Sequence, residues 1–428
     1  MRIEAPFTCT WTHRLCFTSG VLDPANPTLR DALEPTADGP ARAQFYVDSG
    51  VAAAWPGLAD RVAHYAQRSA GRLELAGPTV IVPGGEECKN DRAQLDRLLQ
   101  TMAAARLCRR SYAIALGGGA VLDAVGLAAA LTHRGVRLVR LPTTTLAQDD
   151  SGVGVKNAVN AFGKKNFLGV FAPPWAVIND AEFLTTLSDR DWRSGFSEAV
   201  KVALIKDGAE FGRIEAAAEA IARRDADAAG PVIRRSAELH LRHITRGGDP
   251  FETDSARPLD FGHWAAHKLE ALTGFALRHG EAVAIGVAVD AAYSALIGLA
   301  PEADARRAAG CLRALGFALE HPALGDADAV LGGLEEFREH LGGRLTVTLL
   351  GGIGRGVDVH AIDARAMRRA IEQVAAGRWA QCQRTVAARD PAGASHASQQ
   401  RAVTRGPSAG PAHAGPEAVG HVVQAEDR

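Results

Sequence analysis

The stretch SYAIALGGGAVLDAVGLAAALTH, residues 111–133, decides the fold. A buried strand runs into three glycines, and an apolar helix follows them. Such a turn presents backbone N–H groups and the positive end of a helix to an anion, so it suits the pyrophosphate of a dinucleotide. A tight turn that needs positive φ is the simpler alternative, and the G-x-G-x-x-G spacing of a common Rossmann turn is absent.

The same pattern of strand, turn and helix recurs on both sides of this stretch. The segments QFYVDSGVA (44–52), TVIVPGGEE (79–87) and VRLVRLPTT (136–144) are typical of strands, and residues 90–107 are typical of a polar helix. Short apolar strands that alternate with helices predict a parallel sheet covered on both faces. Glu86 and Lys89 after one strand, and Asp123 after the glycines, favour a ligand at the carboxyl edge of this sheet.

The chain changes character after about residue 187, where apolar residues recur at three- and four-residue spacing. This spacing predicts a second, mainly α-helical domain, with some β structure near RLTVTLLGGIG (344–354). Beyond Trp379 no aromatic residue remains, and the composition predicts disorder. We therefore predict an N-terminal extension (1–40), an α/β nucleotide-binding domain with a parallel sheet (41–187), a helical domain (188–378) and a disordered tail (379–428).

Composition and charge exclude several classes of function. The 428 residues carry a formal charge of −1, which gives no long-range field to attract nucleic acid or an anionic membrane. No apolar run approaches the roughly 20 residues that span a bilayer, and the N-terminus lacks the apolar core of a signal peptide. The six cysteines are scattered without a C-x-x-C pair, so we expect reduced thiols and a cytoplasmic location.

A polar block follows the fourth strand, at residues 141–180, and glycines interrupt it too often for a long helix. Polar loops on a rigid sheet often carry chemistry. Lysines and an asparagine spaced through such a loop can wrap a phosphate by charge-assisted hydrogen bonds. A solvated hairpin whose lysines have no such role is the alternative. The polar residues of this block are Thr143, Thr144, Asp150, Lys156, Lys164, Lys165 and Asn166.

A candidate metal site lies in the helical part. His263 and His267 are four residues apart, hence on one face of a predicted helix, and His279 opens the next helix. Neutral imidazoles are the commonest ligands for zinc-like ions. Glu198, on a helix that also carries Lys201, could supply the third ligand of a site with an open position. Two histidines at this spacing are as often an ordinary helix face, so both interpretations stay open.

Taken together, the motifs resemble the 3-dehydroquinate synthase family of sugar-phosphate cyclases. The resemblance runs from about 80 to 290, and more weakly from 40 and on to 375. It implies the fold of that family, the cofactor NAD, a divalent metal (Zn²⁺ or Co²⁺) and a sugar phosphate substrate. The stretches that carry it are GGGAVLDAVG (117–126), RGVRLVRLPTTTLAQDDSGVGVKN (134–157), FGKKNFLGVFAPPWAVIND (162–180), LSDRDWRSGFSEAVKVALI (187–205), DFGHWAAHKLE (260–270) and HGEAVAIGV (279–287).

The resemblance also implies roles for individual residues by matching position. The metal ligands fall on Glu198, His263 and His279, and His267 becomes an active-site residue. The NAD contacts fall on Asp48, Glu86, Lys89, Gly118, Gly119, Asp123, Thr143 and Thr144. The substrate, phosphate or catalytic contacts fall on Arg134, Asp150, Lys156, Lys165, Asn166 and Lys201. In the family, the arginine matching Arg134 reaches into the partner subunit's site, which implies a homodimer.

Three positions depart from the family pattern. Asp260 replaces the usual asparagine, Ala256 replaces an arginine, and His240 or Arg242 replaces a lysine. In 3-dehydroquinate synthase that arginine and lysine hold the carboxylate of the substrate. Relatives that cyclise ketose phosphates without a carboxylate, such as 2-epi-5-epi-valiolone synthase, vary here but commonly lack the histidine that this chain keeps as His267.

We interpret the chain as a cyclase that converts a heptulosonate or ketose phosphate to a carbocycle with elimination of phosphate and transient oxidation by NAD. A 2-epi-5-epi-valiolone synthase-type enzyme that acts on sedoheptulose 7-phosphate is one alternative. Another alternative is a metal-dependent polyol dehydrogenase, although such an enzyme would not need the lysine-rich loop. A binding protein that kept the fold and lost turnover is a third, motivated by Asp260 and Ala256.

Overall fold

A parallel sheet organises the first half of the chain, in a computed structural model that describes residues 2–162, 164–251, 258–340 and 343–379. The strands are β1 (Leu15–Thr18), β2 (Ala41–Asp48), β3 (Leu73–Leu75), β4 (Val80–Val82), β5 (Tyr112–Gly117), β6 (Arg137–Pro142), β7 (Lys156–Ala161), β8 (Lys164–Phe171), β9 (Ala176–Asp180), β10 (Val347–Leu350) and β11 (Gly356–Val359). Seven of them form the sheet, in the order β1-β9-β6-β5-β2-β3, and β4 also pairs with β2. All of these pairings are parallel, as the sequence predicted.

The strand β5 shows why its sequence is an unbroken apolar run. Each of its residues is buried, and successive side chains face opposite sides of the sheet. Ile114 and Leu116 pack into the core on one side, while Ala113 and Ala115 pack into the core on the other. Both faces of the sheet are therefore covered, which is why polar residues do not alternate with apolar ones.

Helices cover the sheet and form most of the second half of the chain, which confirms the predicted fold class. They are α1 (Thr28–Ala32), α2 (Ser49–Ala54), α3 (Leu58–Arg68), α4 (Glu87–Asn90), α5 (Arg92–Ala104), α6 (Gly119–Leu131), α7 (Asp189–Ser194), α8 (Phe196–Lys206), α9 (Gly208–Ala222), α10 (Ala226–Arg246), α11 (His263–Leu272), α12 (His279–Leu296), α13 (Glu302–Ala314), α14 (Ala327–His340) and α15 (Ala364–Ala375). The β structure predicted near 344–354 is the antiparallel pair β10 and β11. Gly195 separates α7 from α8, so the helical part of the chain begins with a short helix.

The polar block at 141–180 forms a π-helical turn, Ala147–Ser151, and then the antiparallel hairpin of β7 and β8. Most of β8 is exposed, whereas β7 is largely buried against the rest of the molecule. The hairpin therefore has one strand that anchors it and one strand whose side chains are accessible.

The first forty residues contribute a strand to the sheet, since β1 pairs with β9 at its edge. The Asp180 carboxylate anchors the chain after β1, because it accepts hydrogen bonds from the N–H groups of Gly20 at 2.9 Å and Val21 at 2.7 Å. The division into four parts stays a prediction. The predicted tail beyond residue 379 and Ala256 lie outside the described residues. In the described ranges, no helix has the length and apolarity that a membrane span needs.

Candidate active site

Three helices bring Glu198, His263 and His279 into one cluster. Glu198 lies on α8, while His263 and His279 are the first residues of α11 and α12. Glu198 Oε1 lies 3.5 Å from His263 Nε2 and 3.4 Å from His279 Nε2. One potential ligand atom of each residue lies within 4.8 Å of the other two. Two imidazoles and a carboxylate at this spacing match the protein ligands of a catalytic zinc site.

Close backbone packing fixes the start of α8 on two sides. The N–H of Gly195 donates to Thr145 Oγ1 at 3.1 Å, and a Cβ on Gly195 would lie 2.5 Å from the backbone of the loop after β6. A Cβ on Gly280 would lie 2.1 Å from the carbonyl oxygen of Ser194. Only glycine permits these approaches, which place α8 against both the sheet's carboxyl edge and the start of α12.

The starts of α11 and α12 are positioned by a second close approach. Gly262, which precedes α11, has a φ of +78°, a conformation that favours glycine. A Cβ on Gly286 of α12 would lie 2.1 Å from the carbonyl oxygen of Gly262. Backbone contact therefore sets the separation between His263 and His279.

Glu270 holds the ring of His279. Its Oε2 lies 3.2 Å from His279 Nδ1, and its Oε1 accepts from Lys165 Nζ at 3.0 Å. Burial raises the pKa of Glu270, but His279 and Lys165 outweigh this and lower it to about 2. A carboxylate on the far nitrogen of a ligating histidine fixes the tautomer and the ring orientation. Glu270 was not predicted from the sequence, although it follows His267 by three residues on the same helix face.

His267 makes a second grouping possible. Its ring stacks on that of His279, with centroids 5.9 Å apart, and it is more exposed than His263. One potential ligand atom from each of His267, Glu270 and His279 also lies within 4.8 Å of the others. Both groupings use His279, so they are alternatives for one ion. The grouping with Glu198 is the more deeply buried of the two.

The charge states of the cluster suit a cation. Burial raises the pKa of Glu198, but Lys201 and His279 outweigh it and lower the pKa to about 2, so the carboxylate is ionised. Burial and nearby positive charges hold the pKa of His263 well below its usual value, so this imidazole is neutral. Burial lowers the pKa of His279, but Glu198 and Glu270 raise it to about 9. An ion at the cluster would displace that proton.

Lys201 and Asp150 lie next to this cluster. The Lys201 ammonium pairs with Glu198 Oε2, and the lysine is almost fully buried. Burial lowers its pKa, but Glu198 and Asp150 outweigh this and raise it. Asp150 Oδ1 lies 2.8 Å from His240 Nδ1. His240, and not the exposed Arg242, therefore occupies the position next to Asp150.

The predicted NAD residues meet at the carboxyl edge of three neighbouring strands. β2 ends at Asp48, Gly118 and Gly119 follow β5, and Thr143 and Thr144 follow β6. A Cβ on Gly119 would lie 2.7 Å from the Ser151 hydroxyl, so a larger residue here would have to displace that side chain. Parallel strands present ligands at this edge, and the N-terminus of α6 faces it.

A chain of polar contacts joins the nucleotide side to the hairpin. Lys89 Nζ lies 3.0 Å from Asp123 Oδ2 and 2.5 Å from Asn166 Oδ1. Asn160 accepts from the N–H of Asn166 at 2.8 Å and donates to Glu86 Oε1 at 2.8 Å. Three predicted NAD residues thus connect with a predicted substrate residue. Asn160 was missed because its role depends on the register of the hairpin.

Two predicted site residues, Lys156 and Arg134, are exposed. Lys156 is exposed at the start of β7. Arg134 is exposed in a short turn, Thr132–Arg134, where His133 and Arg134 both have positive φ, 53° and 64°. No hydrogen bond or ion pair among the described residues links Arg134 to the cluster of the same chain. Whether it serves a partner subunit stays a prediction.

Family profiles cover most of the described chain. The profile of the 3-dehydroquinate synthase N-terminal family matches residues 79–194, and that of the C-terminal family matches residues 195–335. A 3-dehydroquinate synthase of Paracoccus denitrificans (strain Pd 1222) is 36% identical over 345 residues, which cover 78% of this chain and 90% of that relative.

Solved structures agree with this assignment. A 2-epi-5-epi-valiolone synthase from Streptomyces hygroscopicus subsp. jinggangensis 5008, with NAD⁺ and Zn²⁺ bound, has a TM-score of 0.78 and 29% identity, over 88% of this chain and 99% of that chain. A 2-deoxy-scyllo-inosose synthase complexed with carbaglucose-6-phosphate, NAD⁺ and Co²⁺ has a TM-score of 0.70 over 84% of this chain and 96% of that chain. Its 24% identity shows a shared fold alone. By its sequence profiles and its relatives, the chain belongs to the 3-dehydroquinate synthase family.

Proposed function

We propose that the chain is an NAD⁺- and divalent-metal-dependent sugar-phosphate cyclase that eliminates phosphate and closes a carbocycle. One observation carries this function: the Glu198, His263 and His279 cluster contacts Lys201 and, through Glu270, the lysine-bearing hairpin. Family membership and the sugar-phosphate cyclases among its relatives support the same conclusion.

The residues present fit both cofactors. Glu198, His263 and His279 would hold the metal, and the predicted NAD residues would hold the nucleotide at the carboxyl edge of the sheet. When bound, NAD⁺ would take a hydride from the substrate and return it, while Zn²⁺ or Co²⁺ would polarise a substrate oxygen. Glu270 would keep His279 in the orientation that ligation needs.

The charged groups beside the cluster would handle protons and substrate hydroxyls. Lys201 is kept protonated by Glu198 and Asp150, so it can donate a hydrogen bond to a substrate oxygen. Asp150, paired with His240, can accept one. Elimination of phosphate requires removal of a proton made acidic by the transient ketone, and the substrate's own phosphate is a suitable base.

The phosphate would bind where the hairpin approaches the cluster. Glu270, which also contacts His279, holds Lys165, and Lys89 holds Asn166, so two neighbouring residues of β8 are fixed. A phosphate held on several such donors keeps the flexible substrate in one conformer through elimination and ring closure. The proposed phosphate ligands are Lys156, Lys165, Asn166, His267 and Arg134.

Two substrate classes compete for this site. The relatives named 3-dehydroquinate synthase favour a heptulosonate 7-phosphate, which carries a carboxylate. The contact of His240 with Asp150 favours a neutral ketose phosphate such as sedoheptulose 7-phosphate. An imidazole that is already paired with a carboxylate attracts the carboxylate of a substrate less strongly than a free lysine would. Asp260 near Lys201 adds negative charge on the same side.

Release of inorganic phosphate tests the function and ranks the substrates. The enzyme would be assayed with NAD⁺ and Zn²⁺ or Co²⁺ against 3-deoxy-arabino-heptulosonate 7-phosphate, sedoheptulose 7-phosphate and glucose 6-phosphate. We expect turnover of one of the first two. Failure with all three would refute the proposal. Turnover of the heptulosonate alone would show that His240 does not exclude a carboxylate.

The same assay separates a cyclase from a polyol dehydrogenase. A cyclase returns the hydride within each turnover, so phosphate should accumulate far beyond the enzyme concentration while NADH absorbance stays flat. A dehydrogenase would instead produce NADH in proportion to product. The lysines held around the cluster have no use in simple hydride transfer, which favours the first outcome.

We further propose a homodimer in which Arg134 completes the partner's site. Its exposed position on a turn with two residues of positive φ supports a role outside its own subunit. Arg134→Ala and His263→Ala should each be inactive alone. Refolded together, they should recover about a quarter of wild-type activity, because half of the dimers would contain one complete site. A mixture that stays inactive would place Arg134 in the site of its own chain.

We also expect the enzyme to function in the cytoplasm, as the scattered cysteines suggested. Among the described residues, Cys9, Cys16, Cys88, Cys108 and Cys311 are free thiols. Such thiols suit a reducing compartment. Fractionation of cells that express the native protein, followed by immunoblotting, tests this location.

A further inference from the structure

Arg140 carries a guanidinium that is completely buried. It lies on β6, its side chain has no solvent exposure, and no carboxylate of the described residues pairs with it. Burial lowers its pKa, and the more distant Asp123 opposes this only in part. An unpaired guanidinium in a protein interior is costly, so its hydrogen bonds must compensate.

Those hydrogen bonds all reach one segment, residues 151–157. Arg140 Nη1 donates to the carbonyls of Gly152 at 3.0 Å and Gly154 at 2.8 Å. Its Nη2 donates to the carbonyl of Lys156 at 2.8 Å and to Asn157 Oδ1 at 2.8 Å. The guanidinium therefore spans the segment that begins directly after Asp150 and includes Lys156.

The remaining carbonyls of this run have donors of their own. His13 Nε2 donates to the carbonyl of Val153 at 2.8 Å, which requires the proton on that nitrogen. The Val155 carbonyl accepts from the N–H of Ala172 at 2.8 Å and from Asn157 Nδ2 at 3.2 Å. Each of the five successive carbonyls from 152 to 156 thus accepts a hydrogen bond, and Arg140 is the donor to three of them.

We propose that Arg140 is a positioning residue for the cyclase reaction, which holds the 151–157 segment so that Asp150 and Lys156 present their side chains to the sugar phosphate. The proposal rests on the proposed function, since it takes from it the roles of those two residues. Arg140 itself has no access to substrate because it is completely buried. Its effect must pass through the backbone that it holds.

Arg137 offers a matched control on the same strand. Its guanidinium lies 4.1 Å from the centre of the Trp175 ring and donates a hydrogen bond to Tyr112 Oη at 2.7 Å. Unlike Arg140, it makes no hydrogen bond to the described carbonyls of residues 151–157. Arg140→Gln should raise KM for the sugar phosphate at least about tenfold, as misplaced substrate contacts do, with metal content and NAD⁺ affinity unchanged. Arg137→Gln should leave KM for the sugar phosphate within about twofold of wild type.

Hydrogen exchange measured by mass spectrometry tests the positioning without activity. Amides of the peptide covering 148–160 should exchange faster in Arg140→Gln than in wild type or Arg137→Gln. Arg140→Lys keeps the positive charge but loses the planar set of guanidinium donors, so it should show an intermediate effect. This variant replaces Arg140→Gln in the test if the glutamine variant does not fold. Unchanged exchange and unchanged KM in a folded Arg140 variant would overturn the proposal. If wild type turns over none of the sugar phosphates, the cyclase function fails, whereas the exchange result still decides whether Arg140 holds the segment.

Discussion

Trp264 Nε1 donates a 2.9 Å hydrogen bond to Asp290 Oδ1, and both side chains are buried in the helical core. Asp290 Oδ2 accepts a second 2.9 Å bond from the N–H of Gly262. One carboxylate thus holds the residues on both sides of His263. Asp290→Ala would leave two buried donors unpaired, so we expect a loss of at least about 2 kcal/mol in the free energy of unfolding. Urea denaturation measures this loss. Trp264→Phe removes one donor together with its hydrogen bond, so the Gly262 N–H should stay bonded to Asp290.

The stabilisation by Asp290 should depend on pH. Burial raises the pKa of this carboxyl to about 7, against the two N–H donors that favour its charged form. A folded-state pKa above the unfolded value means that the stabilisation is complete in acid and declines as pH rises towards 7. The stability difference between wild type and Asp290→Ala should therefore shrink by roughly 2 kcal/mol from pH 5 to pH 8. A difference that is constant or grows over this range would contradict the assignment.

His263 and His267 should differ in their effect on bound metal. His263→Ala removes a proposed ligand, so purified protein should retain little Zn²⁺ or Co²⁺. His267→Ala should retain the metal and lose turnover. Elemental analysis by mass spectrometry, after dialysis without chelator, gives the metal content of each variant. Loss of metal from His267→Ala alone would identify His267, Glu270 and His279 as the ligands instead.

Glu270→Gln should weaken metal binding about 10- to 100-fold, because His279 would lose the carboxylate that orients its ring. Competition with a fluorescent chelator measures the affinity. Glu336→Gln is a matched control, since this carboxylate pairs with Lys268 of α11 at the surface. An equal effect of the two substitutions would show that general loss of charge, and not the contact with His279, weakens the site.

Gly286→Ala should destabilise the protein, because the added methyl group would lie 2.1 Å from the Gly262 carbonyl oxygen. We expect a loss of about 1–3 kcal/mol together with weaker metal binding, as α11 and α12 move apart. Gly310→Ala in α13 meets no atom within 4 Å and should raise stability by roughly 0.5 kcal/mol. Thermal unfolding of both variants, with and without metal, checks the two expectations. A neutral Gly286→Ala would mean that the helices repack without cost.

Local pattern predicted the parallel sheet, the turn after β5 and the two histidines on one helix face. These features depend on residues within one or two turns of each other, so spacing and composition are sufficient to find them. The contact of Glu198 with His263 depends on α8 packing against the loop after β6 and against α12, through Gly195 and Gly280. Spacing in the sequence holds no record of such packing, so the residues alone made Glu198 a candidate ligand, and the family resemblance then assigned it.

Other features escaped prediction because they are long-range and polar. Glu270 was not predicted as a site residue, since its contacts with His279 and Lys165 form only when the hairpin meets α11. Arg140 was read as part of an apolar strand, where a guanidinium is unexpected, and its partners lie in a loop of irregular sequence. Buried polar residues of this kind are found from a structure and not from periodicity.

The bond between Lys89 and Asn166 makes the two ligand sites thermodynamically dependent on each other. One of these side chains belongs to the proposed nucleotide site and the other to the proposed phosphate site, and Lys89 Nζ donates to Asn166 Oδ1. Asn166 can donate its Nδ2–H to a phosphate while Lys89 holds its Oδ1, whereas a nucleotide that drew Lys89 away would leave the Asn166 side chain free to turn. If bound nucleotide changes the affinity for phosphate by some factor, bound phosphate changes the affinity for the nucleotide by the same factor. If both proposed sites are correct, the affinities for cofactor and for substrate are linked, and neither is a property of its own site alone.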